Sequence, residues 1–180
     1  EGLILMDSSG NYLPADVTKK VSYLVKNLNI PIGFHAHNNL GMGIANSIAA
    51  VEAGAKILDG CARGFGAGPG NAQLEVLIAV LDRMGYETGI DLYKILEASD
   101  IAESKLMEHV PTTNSISIVS GLSGVFAGFL KPVNRAAAEF DVDPRDLFFA
   151  LGQREVVAGQ EDLILEEAKK LSKKINSKTA

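Results

Sequence analysis

The chain has 180 residues, 47% of them hydrophobic, with a mean hydropathy of +0.14, enough apolar material for one good core or for a larger and a smaller one. A formal net charge of −5 with both signs interspersed gives no basic face for nucleic acid, and no apolar run approaches membrane-spanning length. Cys61 is the single cysteine, which excludes an internal disulfide and fits a reducing compartment; with no visible leader the expectation is a cytoplasmic, soluble protein, although Glu1 in place of Met leaves the natural start open.

Helix and strand signals alternate through the first half. Leu3 to Met6 is a short apolar run that ends at Asp7-Ser-Ser-Gly10, followed by Pro14 at a helix start and by Val17, Val21, Leu24, Val25 and Leu28 at helical spacing. A second strand, Pro31 to His37, leads into a helix from Gly41 to Gly54, with Ile44, Ile48 and Val51 as its apolar stripe and Gly54 as its stop. A third strand, Lys56 to Cys61, enters a glycine-rich loop, Arg63 to Asn71, and then a helix carrying Leu74, Leu77, Ile78 and Leu81 that closes at Gly85. Repeated strand-then-helix order predicts parallel strands with helices outside.

Beyond Gly85 the pattern becomes helix upon helix. Leu92, Ile95 and Leu96 open an amphipathic segment, and the polar stretch Pro111 to Ser115 interrupts it. A mostly apolar helix is expected from Leu122 to Phe140, and Asp143 with Pro144 reads as an N-cap followed by an N1 proline. The last helix places Leu163, Ile164, Ala168, Leu171 and Ile175 along one side, with Asn176 to Ala180 as a frayed tail.

The candidate polar groups all fall at or just after the C-terminal ends of strands, where ligand sites of parallel α/β folds lie. Asp7 and Ser8 follow the first strand, His35 and His37 end the second, and Asn71 lies beyond the third. Two histidines two residues apart on a strand project from the same face and can reach one divalent cation. Neutral imidazoles with carboxylate or water oxygens suit a divalent cation, and ligand type alone leaves Mn²⁺, Zn²⁺, Co²⁺ and Mg²⁺ open. Cys61, placed on a strand, is read as an ordinary buried thiol, Arg63 as a surface ion pair, and His109 as an exposed helix-end residue. The glycine-rich loop lacks the Lys-Ser/Thr of a P-loop, so its glycines are read as allowing close backbone approach beside the site.

Four segments together carry a resemblance: Met6 to Gly10, Gly33 to Gly41, Gly64 to Glu75 and Val157 to Asp162. The chain resembles the 4-hydroxy-2-oxovalerate aldolases, metal-dependent pyruvate aldolases of the larger family that includes 3-hydroxy-3-methylglutaryl-CoA lyase and isopropylmalate synthase. The resemblance implies an α/β fold, the C-terminal portion of a TIM (β/α)₈ barrel in residues 1–86 followed by a small all-helical communication or dimerisation domain in residues 87–180. It implies Mn²⁺ held by His35 and His37 and substrate contacts from Ser8, His35 and Phe126, with Asp7 and Asn71 as further candidates; Asn71 matches a metal-ligating Asn of the lyase branch, and for the aldolase the resemblance favours a loop-fixing role for it over metal ligation. It also implies retro-aldol cleavage of 4-hydroxy-2-oxovalerate, with acetaldehyde passed to an acylating acetaldehyde dehydrogenase docked on the helical part, in a homo- or hetero-oligomer.

Two departures accompany it. The family's third metal ligand, an Asp, its enolate-stabilising Arg and its catalytic His belong to a first barrel strand and loop that precede Glu1, so the 180 residues alone are expected to be inactive. The family's substrate-contacting Tyr aligns with Phe126, which has no hydroxyl to donate. An acyl-CoA condensing enzyme or lyase on the same scaffold, and a non-catalytic fragment, remain as alternatives.

Overall fold

The computed structural model describes residues 1–157 and 159–179; for Ala127 and residues 175–179 the description is of the backbone. Three parallel strands, β1 (Leu3–Asp7), β2 (Ile32–Ala36) and β3 (Ile57–Asp59), form one sheet in sequence order. Helices α1 (Pro14–Asn27), α2 (Gly43–Glu52) and α3 (Leu74–Arg83) follow the strands in turn, and a short 3₁₀ turn at Ala62–Gly64 begins the glycine-rich loop.

Local chemistry sets these boundaries. Pro14 occupies the first turn of α1, where its missing N–H costs nothing, and the Asp16 carboxylate reaches back to accept the Leu13 N–H at 3.0 Å. Gly54, at φ +102, takes the left-handed turn that ends α2 and lets Ala55 N–H return to the Ala50 carbonyl. One sheet face packs Leu3, Leu5, Ile32, Phe34, Ala36 and Leu58 against Val17 and Val21 of α1 and Ala49 and Ala50 of α2. Side chains alternate along a strand, so the other face carries Ile4, Met6, His35, Ile57 and Asp59. Met6 pairs in register with His35, and His35 with Asp59, which sets those three side by side.

The second strand is shorter than expected. β2 stops at Ala36, and His37 turns away into an isolated antiparallel bridge with Asn71 of the glycine-rich loop. Helix α4 (Leu92–Leu106) follows; it packs on α3 and the 3₁₀ turn through a cluster in which Arg63 meets Glu75, Asp100 and Glu103, and Ser99 donates to Glu75 at 3.1 Å.

The remaining helices are α5 (Ser115–Ser123), α6 (Leu130–Phe140), α7 (Pro144–Gln153) and α8 (Asp162–Thr179). The Asn114 side chain accepts from Ile116 N–H and Ser117 N–H to start α5, and Gly124 ends it in the left-handed region at φ +71. The single helix expected over Leu122 to Phe140 is therefore two, with a 3₁₀ turn at Ala127–Phe129 between them. Asp143 caps α7 as expected, accepting from Arg145 N–H at 2.8 Å. The expected frayed tail is helical as far as Thr179; Ala180, Ala158 of the Val157–Asp162 segment and the Ile175 side chain lie outside the described residues and side chains. Val125, Phe129, Val133, Leu147, Phe148, Leu151 and Ile164 form a second core, separate from that of the sheet. Each large side chain buried there contributes about 1.5–3 kcal/mol as an upper estimate.

Candidate metal centre

His35 lies at the end of β2 with its Nδ1 on the Asp59 carboxylate of the adjacent strand. His37, one residue past the strand, places its Nδ1 2.8 Å from the Asp7 carbonyl at the end of β1. A carbonyl oxygen only accepts, so His37 donates through Nδ1–H and its Nε2 keeps the free lone pair. A carboxylate likewise takes a proton from His35 Nδ1. Both rings thus have Nδ1 occupied and Nε2 left for another partner, the arrangement found where a carboxylate or carbonyl orients a metal-bound histidine. The ring centroids are 4.9 Å apart with planes at 76°.

Burial holds the His37 pKa below the ordinary histidine value, an effect only partly offset by the bond to the Asp7 carbonyl. The ring is therefore neutral near pH 7, as metal ligation requires. Asp7 is shifted the other way: burial raises its pKa although Tyr12 N–H and Asn11 N–H donate to the carboxylate, each at 3.1 Å. Its carboxylate is occupied by the 7–12 turn, and Asp7 meets the histidines through its carbonyl. Ser8 is exposed at the tip of that turn.

Asn71 is 8% exposed, and its Nδ2 donates to the Phe65 carbonyl at 3.0 Å and to Cys61 Sγ at 3.3 Å. Its Oδ1 is buried with no hydrogen-bond partner among the described residues, as are those of Asn11, Asn39 and Asn46. A buried acceptor left without a donor costs roughly 1–3 kcal/mol, and a cation is one group that would satisfy it. Two imidazole Nε2 atoms and one amide oxygen fit a divalent first-row cation. Among the described residues no group of three or more His, Cys, Asp or Glu forms a metal cluster, so the histidines stand as a pair.

Other candidates fall elsewhere. Phe126 is partly buried against the helical core, edge-to-face with Phe129 at 6.4 Å. His109 is exposed beyond the end of α4. Cys61 lies two residues past β3 rather than on it, partly exposed, where its backbone bridges Gln73. Arg63 is an ion-pair residue, with Glu103 at 2.8 Å and Glu75 at 3.2 Å. Asp59 was not singled out from sequence; its signal was a carboxylate at the end of a strand that parallel pairing sets beside His35.

Residues 3–102 match the HMGL-like family. The chain belongs to that family. Residues 111–173 match the DmpG-like communication domain. This HMGL-like chain is 63% identical to a 4-hydroxy-2-oxovalerate aldolase of Spirochaeta aurantia, over 98% of its own length and 52% of the relative's. It is similar to the HMG-CoA lyase of Bacillus subtilis at 30% identity and a TM-score of 0.57, across 62% of this chain and 40% of that one. The carboxyl transferase domain of Rhizobium etli pyruvate carboxylase shares the fold, with a TM-score of 0.77 at 18% identity over 96% of this chain and 31% of that one. The chain spans about half the length of the curated relatives it matches. Its fold is accordingly the expected one, the C-terminal portion of an α/β barrel followed by helices.

Proposed function

We propose that the chain carries the histidine half of the metal site of a 4-hydroxy-2-oxovalerate aldolase. The observation that supports this reading is the pair of imidazoles held by Nδ1, one through Asp59 and one through the Asp7 carbonyl. His35 and His37 would hold the ion through Nε2, and Asn71 Oδ1 is the buried oxygen available as a further ligand. Mn²⁺ is the cation we assign, on nitrogen-plus-oxygen ligation and on the family resemblance. When bound, it would supply Lewis-acid stabilisation of the negative charge that develops on the 2-keto oxygen as the C3–C4 bond breaks.

The chain's own residues bind and orient. The Ser8 hydroxyl, exposed at the strand end, is assigned to the substrate carboxylate. The reaction releases acetaldehyde when the 4-hydroxyl loses its proton, and C3 takes a proton to give pyruvate; the resemblance assigns that base to a histidine of the first barrel strand and loop. We assign the metal unit to residues 1–86, with α4 fastened to it, and the docking of an acylating acetaldehyde dehydrogenase to the helical remainder of 87–180, on the communication-domain match. That docking role would make the assembly a hetero-oligomer, and a homo-oligomer of the aldolase is the other arrangement the resemblance implies.

Titration of the purified protein with Mn²⁺ by calorimetry tests the site. His37→Ala is expected to weaken binding by more than about 100-fold, beyond what loss of an orienting partner alone produces, with unchanged circular dichroism. Unchanged Mn²⁺ affinity in that variant refutes the assignment. Pyruvate release from 4-hydroxy-2-oxovalerate by the full gene product, coupled to NADH oxidation, should fall with it.

A further inference from the structure

Two residues beyond His37, Asn39 is fully buried at the junction of three segments. Its Nδ2 donates to the Ser117 carbonyl at 3.2 Å and to Ser120 Oγ at 3.4 Å, both on α5 of the helical half. Ser120 Oγ in turn donates to the Val125 carbonyl at 2.8 Å, and Val125 belongs to the helical core. On its other side Asn39 lies against Gly10. A Cβ at Gly10, where φ is +62, would stand 2.6 Å from Asn39 Oδ1, so that approach needs glycine, and one at Gly121 would stand 3.0 Å from Asn39 Cβ, a tight contact.

Gly10 closes the same turn that fixes His37. Its N–H donates to the Asp7 carbonyl at 3.1 Å, the oxygen that also accepts from His37 Nδ1 at 2.8 Å. Asn39 is therefore tied to His37 twice, through two peptide bonds and through Gly10 and Asp7. The preceding residue is held as well: Asn38 N–H donates to the Gly70 carbonyl at 2.9 Å, and Asn38 Oδ1 accepts from Gly43 N–H at 3.1 Å.

We propose that Asn39 is a positioning residue for cation binding, its side-chain amide clamping α5 onto the segment that carries His37, so that the ring's orientation depends on the helical half. Resting on the metal-centre reading above, the proposal extends it to a residue that touches neither ring. Removing the amide frees the 38–39 segment from α5 and opens space beside Gly10. The Asp7 carbonyl then no longer selects the Nδ1–H tautomer alone, and Nε2 is offered to the cation for only part of the time.

The test uses two readings on the purified protein: long-range ¹H–¹⁵N spectra of the His37 imidazole without metal, and calorimetric titration with Mn²⁺. The parent should show the Nδ1–H tautomer. Asn39→Ala should show a mixture of tautomers and bind Mn²⁺ about tenfold more weakly, the scale expected when a metal ligand loses its orienting shell. A purely structural role would lower the unfolding midpoint and leave both readings unchanged, and either reading unchanged in folded Asn39→Ala overturns the proposal. If Asn39→Ala does not fold, Ser120→Ala decides by the same criteria, with a smaller change in the same direction. His37→Ala separates the two ideas. If it leaves Mn²⁺ affinity intact, the metal-centre reading fails; if it abolishes binding while the clamp variants change nothing, the clamp alone fails.

Discussion

The two halves of the molecule bury their apolar surface in different ways. The helical half closes on itself around large side chains, Phe129, Leu147, Phe148 and Leu151, all with at most 1% exposure. The sheet packs one face against α1 and α2 with Ile32 and Phe34 set among small residues, Ala36, Ala49, Ala50 and Ala55, and leaves Ile4 at 43% and Met6 at 53% exposure on the other. Parallel sheets are ordinarily covered on both faces. His35 and Asp59 lie on the open face. The half whose core closes on itself is thus distinct from the half with the candidate chemistry, and Asn39 is a polar link between them.

That contrast is most sharply tested by truncating the helical core. Phe148→Ala should cost about 3–5 kcal/mol, as removal of a fully buried ring does. Urea unfolding followed by NMR should show helical-half signals lost at lower denaturant while sheet signals such as Phe34 persist. Simultaneous loss of both sets would mean that the halves unfold as one cooperative unit. A smaller effect is expected from Asp59→Asn, which replaces the acceptor of His35 Nδ1 with a neutral amide. Mn²⁺ affinity should fall about tenfold with little change in the unfolding midpoint, and an affinity equal to the parent's would remove Asp59 from the site.

Smallest is the dependence on pH. The pKa of His37 is lowered in the folded state, so the unfolded chain binds more protons just below the ordinary value of 6.5. Its contribution to stability is complete above 6.5 and is lost as pH falls through that value toward the lowered folded pKa. Asp7, raised from 3.8, acts with the opposite sign: its contribution is complete below 3.8 and is lost as pH rises through the folded value. Thermal unfolding midpoints measured across the window just below pH 6.5 should therefore drop with acidification, and His37→Gln should flatten that slope.

Much of this architecture was legible in the chain. A short apolar run closed by Asp7–Gly10 and helix stops at Gly54 and Gly85 mark the strand-and-helix order, and the spacing of His35 and His37 marks a candidate site. What escaped depends on pairing across distance. Asp59 becomes an orienting group only through the register that sets it beside His35, and Asn39 meets α5 across 78 residues of sequence. The break at Gly124 was hidden by the apolar run around it, although glycines at 121, 124 and 128 were the available signal. Phe126 packs edge-to-face with Phe129, and that partnership cannot be read from a single position.

Gly66 shows how narrowly the loop before α3 is shaped. A methyl group there would stand 2.3 Å from Asn71 Nδ2, and the Phe65 carbonyl just before it takes that same nitrogen's proton. The loop backbone is in effect a mould cast around the nitrogen end of one carboxamide. Even alanine at position 66 would push the Asn71 carboxamide aside, its nitrogen first, so a substitution on a neighbouring loop residue would be felt as the displacement of one side-chain amide.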